Sequence, residues 1–110
     1  MSDNPKLNIL GTEYELKRAG QKDDTRLEDN DGYCDEYAKI IGVCDDYNEN
    51  FSQGTRKLDV FKKKVLRHEI IHAFLFESGL TEQGQDEELV DWLAVQFPKM
   101  LKAFQEVDAI

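Results

Sequence analysis

Leu66-Arg67-His68-Glu69-Ile70-Ile71-His72-Ala73-Phe74-Leu75-Phe76-Glu77-Ser78-Gly79-Leu80 is the stretch on which the fold and the chemistry of this chain turn. Apolar residues recur at three- and four-residue steps, from Phe61 through Val65, Leu66, Ile70, Ile71, Phe74 and Leu75. That is the stripe of an amphipathic helix. The spacing predicts a helix over residues 60–78, with Asp59 able to cap its start. Gly79 can take the left-handed conformation that ends it.

The centre of this helix reads His68-Glu69-Ile70-Ile71-His72, an HExxH, and both of the chain's 2 histidines fall in it. A helix advances about 100° per residue, so the two imidazoles stand one turn apart and only about 40° around the axis. At that spacing they can reach one tetrahedral Zn²⁺ from the same face. Glu69 is offset by about 100° from His68, which suits it to hold a water beside the metal and to take its proton. The alternative is a pair of partly buried helix histidines with no metal.

Zinc needs a third protein ligand. His72 is not followed by HxxGxxH, because Leu75 and Ser78 stand at those positions. Glu77 is five residues past His72, which turns it to the opposite face and makes it a surface or end-of-helix charge. A second helix is expected over 87–97, with Asp86 or Gln85 at its start and Leu89, Val90, Leu93, Ala94 and Phe97 as its apolar stripe. Projected at about 100° per residue, Glu87 falls about 90° from the centre of that stripe and Glu88 about 170°. Glu87 can therefore lean into a site between helices, while Glu88 points to solvent. Asp91, one turn beyond Glu87, can accept the second N–H of His68 or His72 and so fix its tautomer. Otherwise it is a helix-surface aspartate. Trp92 reads as packing. Pro98 breaks or kinks the pattern, and a terminal helix over 99–107 turns Met100, Leu101, Phe104 and Val107 inward.

The first half of the chain is shorter in its rhythms. Residues 6–10 and 13–17 read as a hairpin around Gly11-Thr12. Residues 19–32 are polar and read as loop. The run from Leu27 to Gly32 fails as a calcium loop, since Leu27 stands where an Asp is required. Residues 37–44 read as a strand, 45–54 as polar turns, and 81–85 as a connection between helices. The expected architecture is α+β in a single domain over 1–110.

Composition bounds the partners. At 110 residues there is room for one modest core, and 40% hydrophobic content with a mean hydropathy of −0.63 suits a soluble globular chain. A formal net charge of −9 repels phosphate backbones, which argues against nucleic acid as the main partner. Arg56, Lys57, Lys62, Lys63, Lys64 and Arg67 form a local exception, either a solvated helix face or a rim for an acidic partner. No secretion signal or membrane-spanning run is evident, so the expected compartment is cytoplasmic, with no membrane partner. Cys34 and Cys44 are then expected to be reduced.

HExxH followed by Glu87-Glu88-Leu89-Val90-Asp91, an ExxxD, resembles the gluzincin pattern of zinc peptidases. Residues 66–80 with 87–92 are similar to small phage- and prophage-encoded zinc metallopeptidase-like proteins. More distantly they resemble ImmA/IrrE-type zincins, in which a downstream Glu completes the site. The resemblance covers about residues 33–98. It implies a minimal zincin-like fold, with a small antiparallel or mixed sheet packed on the active-site helix and an edge strand lining the cleft. Residues 37–43 are the candidate for that strand. It also implies Zn²⁺ held by His68, His72 and Glu87, with Asp91 behind them. The expected reaction is peptide-bond hydrolysis in a peptide or protein substrate, with Glu69 as general base. The alternative is a zinc-binding regulatory or protein-interaction module with little or no turnover. Larger gluzincins place a Tyr or His after the ligand Glu to stabilise the tetrahedral intermediate. Here Tyr14, Tyr33, Tyr37 and Tyr47 all precede the helix, leaving the zinc, one of those tyrosines or Arg56 for that task.

Overall fold

Leu10 and Gly11 both have positive φ, 52° and 93°, and form the two-residue turn that joins β1 (Lys6–Ile9) to β2 (Thr12–Ala19). Positive φ at both central positions matches the right-handed twist of the paired strands. The computed structural model describes residues 3–47 and 55–110. Of the turns expected over 45–54, residues 48–54 lie outside it. So do the side chains of Arg56 and Lys57 in the basic cluster.

β1 pairs antiparallel with β2, from Lys6↔Glu15 to Ile9↔Thr12. β2 runs parallel to β4 (Ile40–Cys44), with Leu16 opposite Ile41. β3 (Gly32–Asp35) pairs antiparallel with β4 on its far side, giving the order β1-β2-β4-β3. Two sequence expectations are corrected here. The strand expected over 37–44 begins at Ile40, because Asp35 Oδ1 accepts the backbone N–H groups of Tyr37 (3.1 Å) and Ala38 (2.9 Å) and bends residues 36–39 into a turn. β4 is an inner strand; the edges are β1 and β3, and it is β3, part of which had read as loop, that lies beside the helix at Glu69. The remaining loop holds one 3-10 turn, Thr25–Leu27, whose Leu27 is fully buried.

Alternation along the strands sends one set of side chains to the helix. Ile9, Tyr14, Leu16, Ile41 and Val43 pack with Val65 and Ala73 of α1 (Thr55–Glu77), and Leu7, Cys34, Phe61, Leu66 and Ile70 border them. α1 starts five residues before the expected helix does. Asp59 consequently lies inside the helix and pairs with Lys63 at 3.4 Å instead of capping. Gly79 does end it, at φ 78°, with Leu80 N–H reaching back to the Leu75 carbonyl at 2.9 Å. Of the two readings of Glu77, the end-of-helix one holds: it is the last residue of α1 and not a surface charge. Its carboxylate accepts the Thr12 and Tyr14 hydroxyls at 2.7 Å each and the Lys39 ammonium at 2.8 Å, tying the end of α1 to the sheet.

α2 (Thr81–Gly84) is one turn, and α3 runs unbroken over Glu87–Glu106. Asp86 caps α3 by accepting the Leu89 N–H at 3.1 Å. Of the break or kink expected at Pro98, the break does not occur. Proline has no N–H to offer the carbonyl four residues back, that of Ala94, and Arg67 Nε donates to it instead at 2.7 Å. In the terminal part of α3, Met100 and Leu101 are half-buried, whereas Phe104 and Val107 are exposed, as is Trp92. The fold is α+β, a four-stranded mixed sheet with three helices among the described residues. None of those helices is long and apolar enough to cross a membrane.

Candidate metal centre

α1 presents His68 and His72 on the side that α3 covers, and α3 presents Glu87 and Asp91 from its first two turns. His68 Nε2 lies 3.1 Å from His72 Nε2. Glu87 reaches both, with Oε2 at 3.0 Å from the first nitrogen and Oε1 at 2.9 Å from the second. In a tetrahedral site with metal–ligand bonds of 2.0–2.1 Å, neighbouring donors stand about 3.3 Å apart. The two imidazole nitrogens stand near that spacing, each Glu87 oxygen faces a different one of them, and one donor atom from each of the three residues lies within 4.8 Å of the others. Glu88 is exposed and outside this group.

The outer nitrogens fix the tautomers. His72 Nδ1 is 2.7 Å from the Gly84 carbonyl, which can only accept, so Nδ1 carries the proton. His68 Nδ1 is 3.2 Å from Asp91 Oδ1. Asp91 also accepts Lys64 Nζ at 3.0 Å. The Lys64 bond, with help from His68, holds the Asp91 carboxyl below its ordinary range and keeps it an acceptor. With both protons outward, the two Nε2 lone pairs and a carboxylate converge on one point with no donor among them. Such a set could hold a metal ion.

Glu69 sits beside this group but not in it. Its side chain is turned toward the start of β3, where a Cβ on Gly32 would stand 3.0 Å from Glu69 Cγ. Glycine at that position makes room for the carboxylate. Glu69 is only 6% exposed and has no hydrogen-bond or ion-pair partner among the described residues. Burial, and then the charge of Glu87, push it up to about 8. A second close approach is at Gly84, where a Cβ would come within 2.7 Å of the Phe76 ring. Phe76 in turn stacks on His72, with ring centroids 5.9 Å apart and an interplanar angle of 13°.

Two cavities flank the cluster and share Asn30, Gly32, Glu69 and Glu87. One, of about 240 Å³, is lined by Asp29, Asp31, Lys64 and Asp91. The other, of about 550 Å³, is lined by Tyr33, Cys34, Phe76 and Gln85. Together they form a groove that passes β3 and Glu69. The tyrosine hydroxyls are engaged elsewhere: Tyr14 on Glu77, Tyr33 on Asp24 at 2.5 Å, and Tyr47 on Asp31 at 3.1 Å. Tyr37 is 89% exposed on the β3–β4 turn. Arg56, the other oxyanion candidate, has its side chain outside the described residues. Both thiols are free, and burial pushes Cys34 up to about 12.

Every site residue expected from the sequence is therefore in or beside one cluster. His68, His72 and Glu87 converge, Asp91 backs His68, and Glu69 stands at the cleft. Sequence reasoning missed the Gly84 carbonyl, the Lys64 clamp on Asp91, and the space provided by Gly32. Only Lys64 carried a signal, since it lies four residues before His68 on the same face. Comparison with family models, with curated proteins and with solved structures returned no match.

Proposed function

We propose that the chain is a zinc-dependent peptidase with a zincin-like centre, in which His68, His72 and Glu87 hold Zn²⁺ and Glu69 is the general base. The observation that carries this is the convergence of His68, His72 and Glu87, with one donor atom from each within 4.8 Å of the others, beside the buried side chain of Glu69, which lines a groove. Bound zinc would supply Lewis-acid polarisation of a carbonyl and of water. The rest is done by the chain. The Gly84 carbonyl and Asp91 hold the imidazoles in the ligating tautomer. Glu69, deprotonated once a cation is near, takes a proton from the attacking water and returns it to the leaving amine. The edge of β3 lies along the groove where an extended peptide would run, which fits a peptide or protein substrate.

A second reading, a zinc-binding regulatory or interaction module with little turnover, is favoured by one observation. The hydroxyls of Tyr14, Tyr33 and Tyr47 are committed to carboxylates. A peptide-library digestion by the zinc-loaded protein, read by mass spectrometry, separates the two. The peptidase reading expects zinc-dependent cleavage that chelation removes and added zinc restores. A protein that holds zinc stoichiometrically and cleaves nothing is the module.

A further inference from the structure

Arg67 stands next to His68 on α1, yet its Nε–H goes to a backbone carbonyl of α3, that of Ala94, at 2.7 Å. The reason that carbonyl is open lies four residues on. In a regular helix it would accept the N–H of residue 98, and residue 98 is proline. Ala94 is fully buried, so water is in no position to replace the missing donor. A buried carbonyl without a partner is costly, and a helix that loses its only available donor shifts or bends to find another.

What such a shift would move is the metal cluster. Asp91 lies three residues before Ala94 and Glu87 seven before it, on the same rigid helix. The two helices are joined at this level by few polar ties: Lys64 and His68 to Asp91, Arg67 to Ala94, and the histidines to Glu87. Of these, only the Arg67 bond engages the α3 backbone, which sets the axial register of the whole helix. The other ties end on side chains that can rotate.

We propose that Arg67 is a positioning residue for the metal centre. By filling the carbonyl that Pro98 leaves open, it locks α3 in register on α1 and holds Glu87 and Asp91 against His68 and His72. The pairing of an arginine before the first ligand histidine with a proline eleven residues after Glu87 is then one device in two parts. This rests on the zinc reading given above.

The test is a double-mutant cycle with zinc affinity as its readout, measured by competition with a chromogenic chelator on wild type, Arg67→Ala, Pro98→Ala and the double variant. In Pro98→Ala the new N–H can serve the Ala94 carbonyl, so the arginine becomes redundant. Arg67→Ala alone should weaken zinc binding by about 10-fold, the scale of outer groups that orient ligands. In the Pro98→Ala background the same substitution should cost less than about 2-fold, a coupling expected only of groups that share a partner. A general loss of stability would lower both backgrounds alike. Equal losses in the two backgrounds, or no loss in either, overturn the proposal while leaving the metal centre standing. A wild type that takes up no zinc overturns both. Should Arg67→Ala fail to fold, Arg67→Lys serves in its place. It keeps the charge but not the fixed Nε–H, and the same rescue by Pro98→Ala is required of it.

Discussion

Each histidine of the cluster is gripped at its outer nitrogen, and the two grips differ in kind. His68 is held by a side chain, Asp91, at 3.2 Å, and His72 by a backbone oxygen, that of Gly84, at 2.7 Å. The first was legible in the sequence because a carboxylate one turn beyond Glu87 shows on a helical wheel. The second was not, since a backbone carbonyl belongs to every residue and its direction is set by where α2 ends. Substituting Asp91 by Ala should weaken zinc affinity by about 10–100-fold with helicity unchanged, as read by competition titration and circular dichroism. An unaltered affinity would return Asp91 to a Lys64 partner on the helix surface. Glu87 and Glu88 offer a sharper contrast, because they are adjacent and chemically alike. Glu87→Ala should bring bound zinc well below one equivalent, and Glu88→Ala should leave it near one; full occupancy in Glu87→Ala removes the third ligand from the scheme.

At the scale of elements, the helices were readable where an apolar stripe marked them and unreadable where polar contacts set them. Residues 55–59 of α1 lack the stripe, so the helix start was placed late. The run through Pro98 depends on Arg67, a partner 31 positions earlier in the chain, which no local pattern discloses. β3 was missed because Gly32 and Asp35 are poor strand formers and only tertiary packing against α1 makes them one. Glu77 was legible as an end-of-helix charge turned away from the histidines, but its partners Thr12, Tyr14 and Lys39 were not, because they come from distant parts of the chain. The Lys39 ammonium first, then the two hydroxyls, hold its carboxyl at about 2, below the ordinary 4.5. A depressed carboxyl contributes stability in full above pH 4.5, and that contribution fades as pH falls toward 2. Urea denaturation should therefore show wild type more stable than Glu77→Gln at pH 7, with the gap narrowing between pH 4.5 and pH 2. A gap that does not change over that interval would mean the network holds nothing through the charge of Glu77.

The whole molecule is small, with a net charge of −9, and its cluster bridges the two longest helices. A cation at that bridge binds the folded chain and not the unfolded one, so it adds stability by mass action. At free zinc about 100-fold above Kd this is about 2.7 kcal/mol, which in a domain of this size raises Tm by on the order of 10 °C. Chelation should reverse the rise, and Glu87→Ala should not show it; a Tm indifferent to zinc would place no cation between α1 and α3. The α+β class was legible from 110 residues because periodicity is a local signal, and the residues of the proposed ligand set could be named because the HExxH-to-ExxxD spacing is another. The mixed sheet order and the groove along β3 were not, because they depend on which strands find each other.

The account stands most directly on Glu69, a buried carboxylate at the cleft with no hydrogen-bond or ion-pair partner among the described residues. The deciding measurement is hydrolysis by wild type and Glu69→Gln on the same peptide library, at matched zinc occupancy. Glutamine keeps the size of the side chain and can still hydrogen-bond a water, but it cannot take the proton. Glu69→Gln should retain its zinc and lose cleavage by about 10²–10⁴-fold, the range typical of a positioned general base. Equal cleavage by the two proteins at equal zinc would contradict the mechanism.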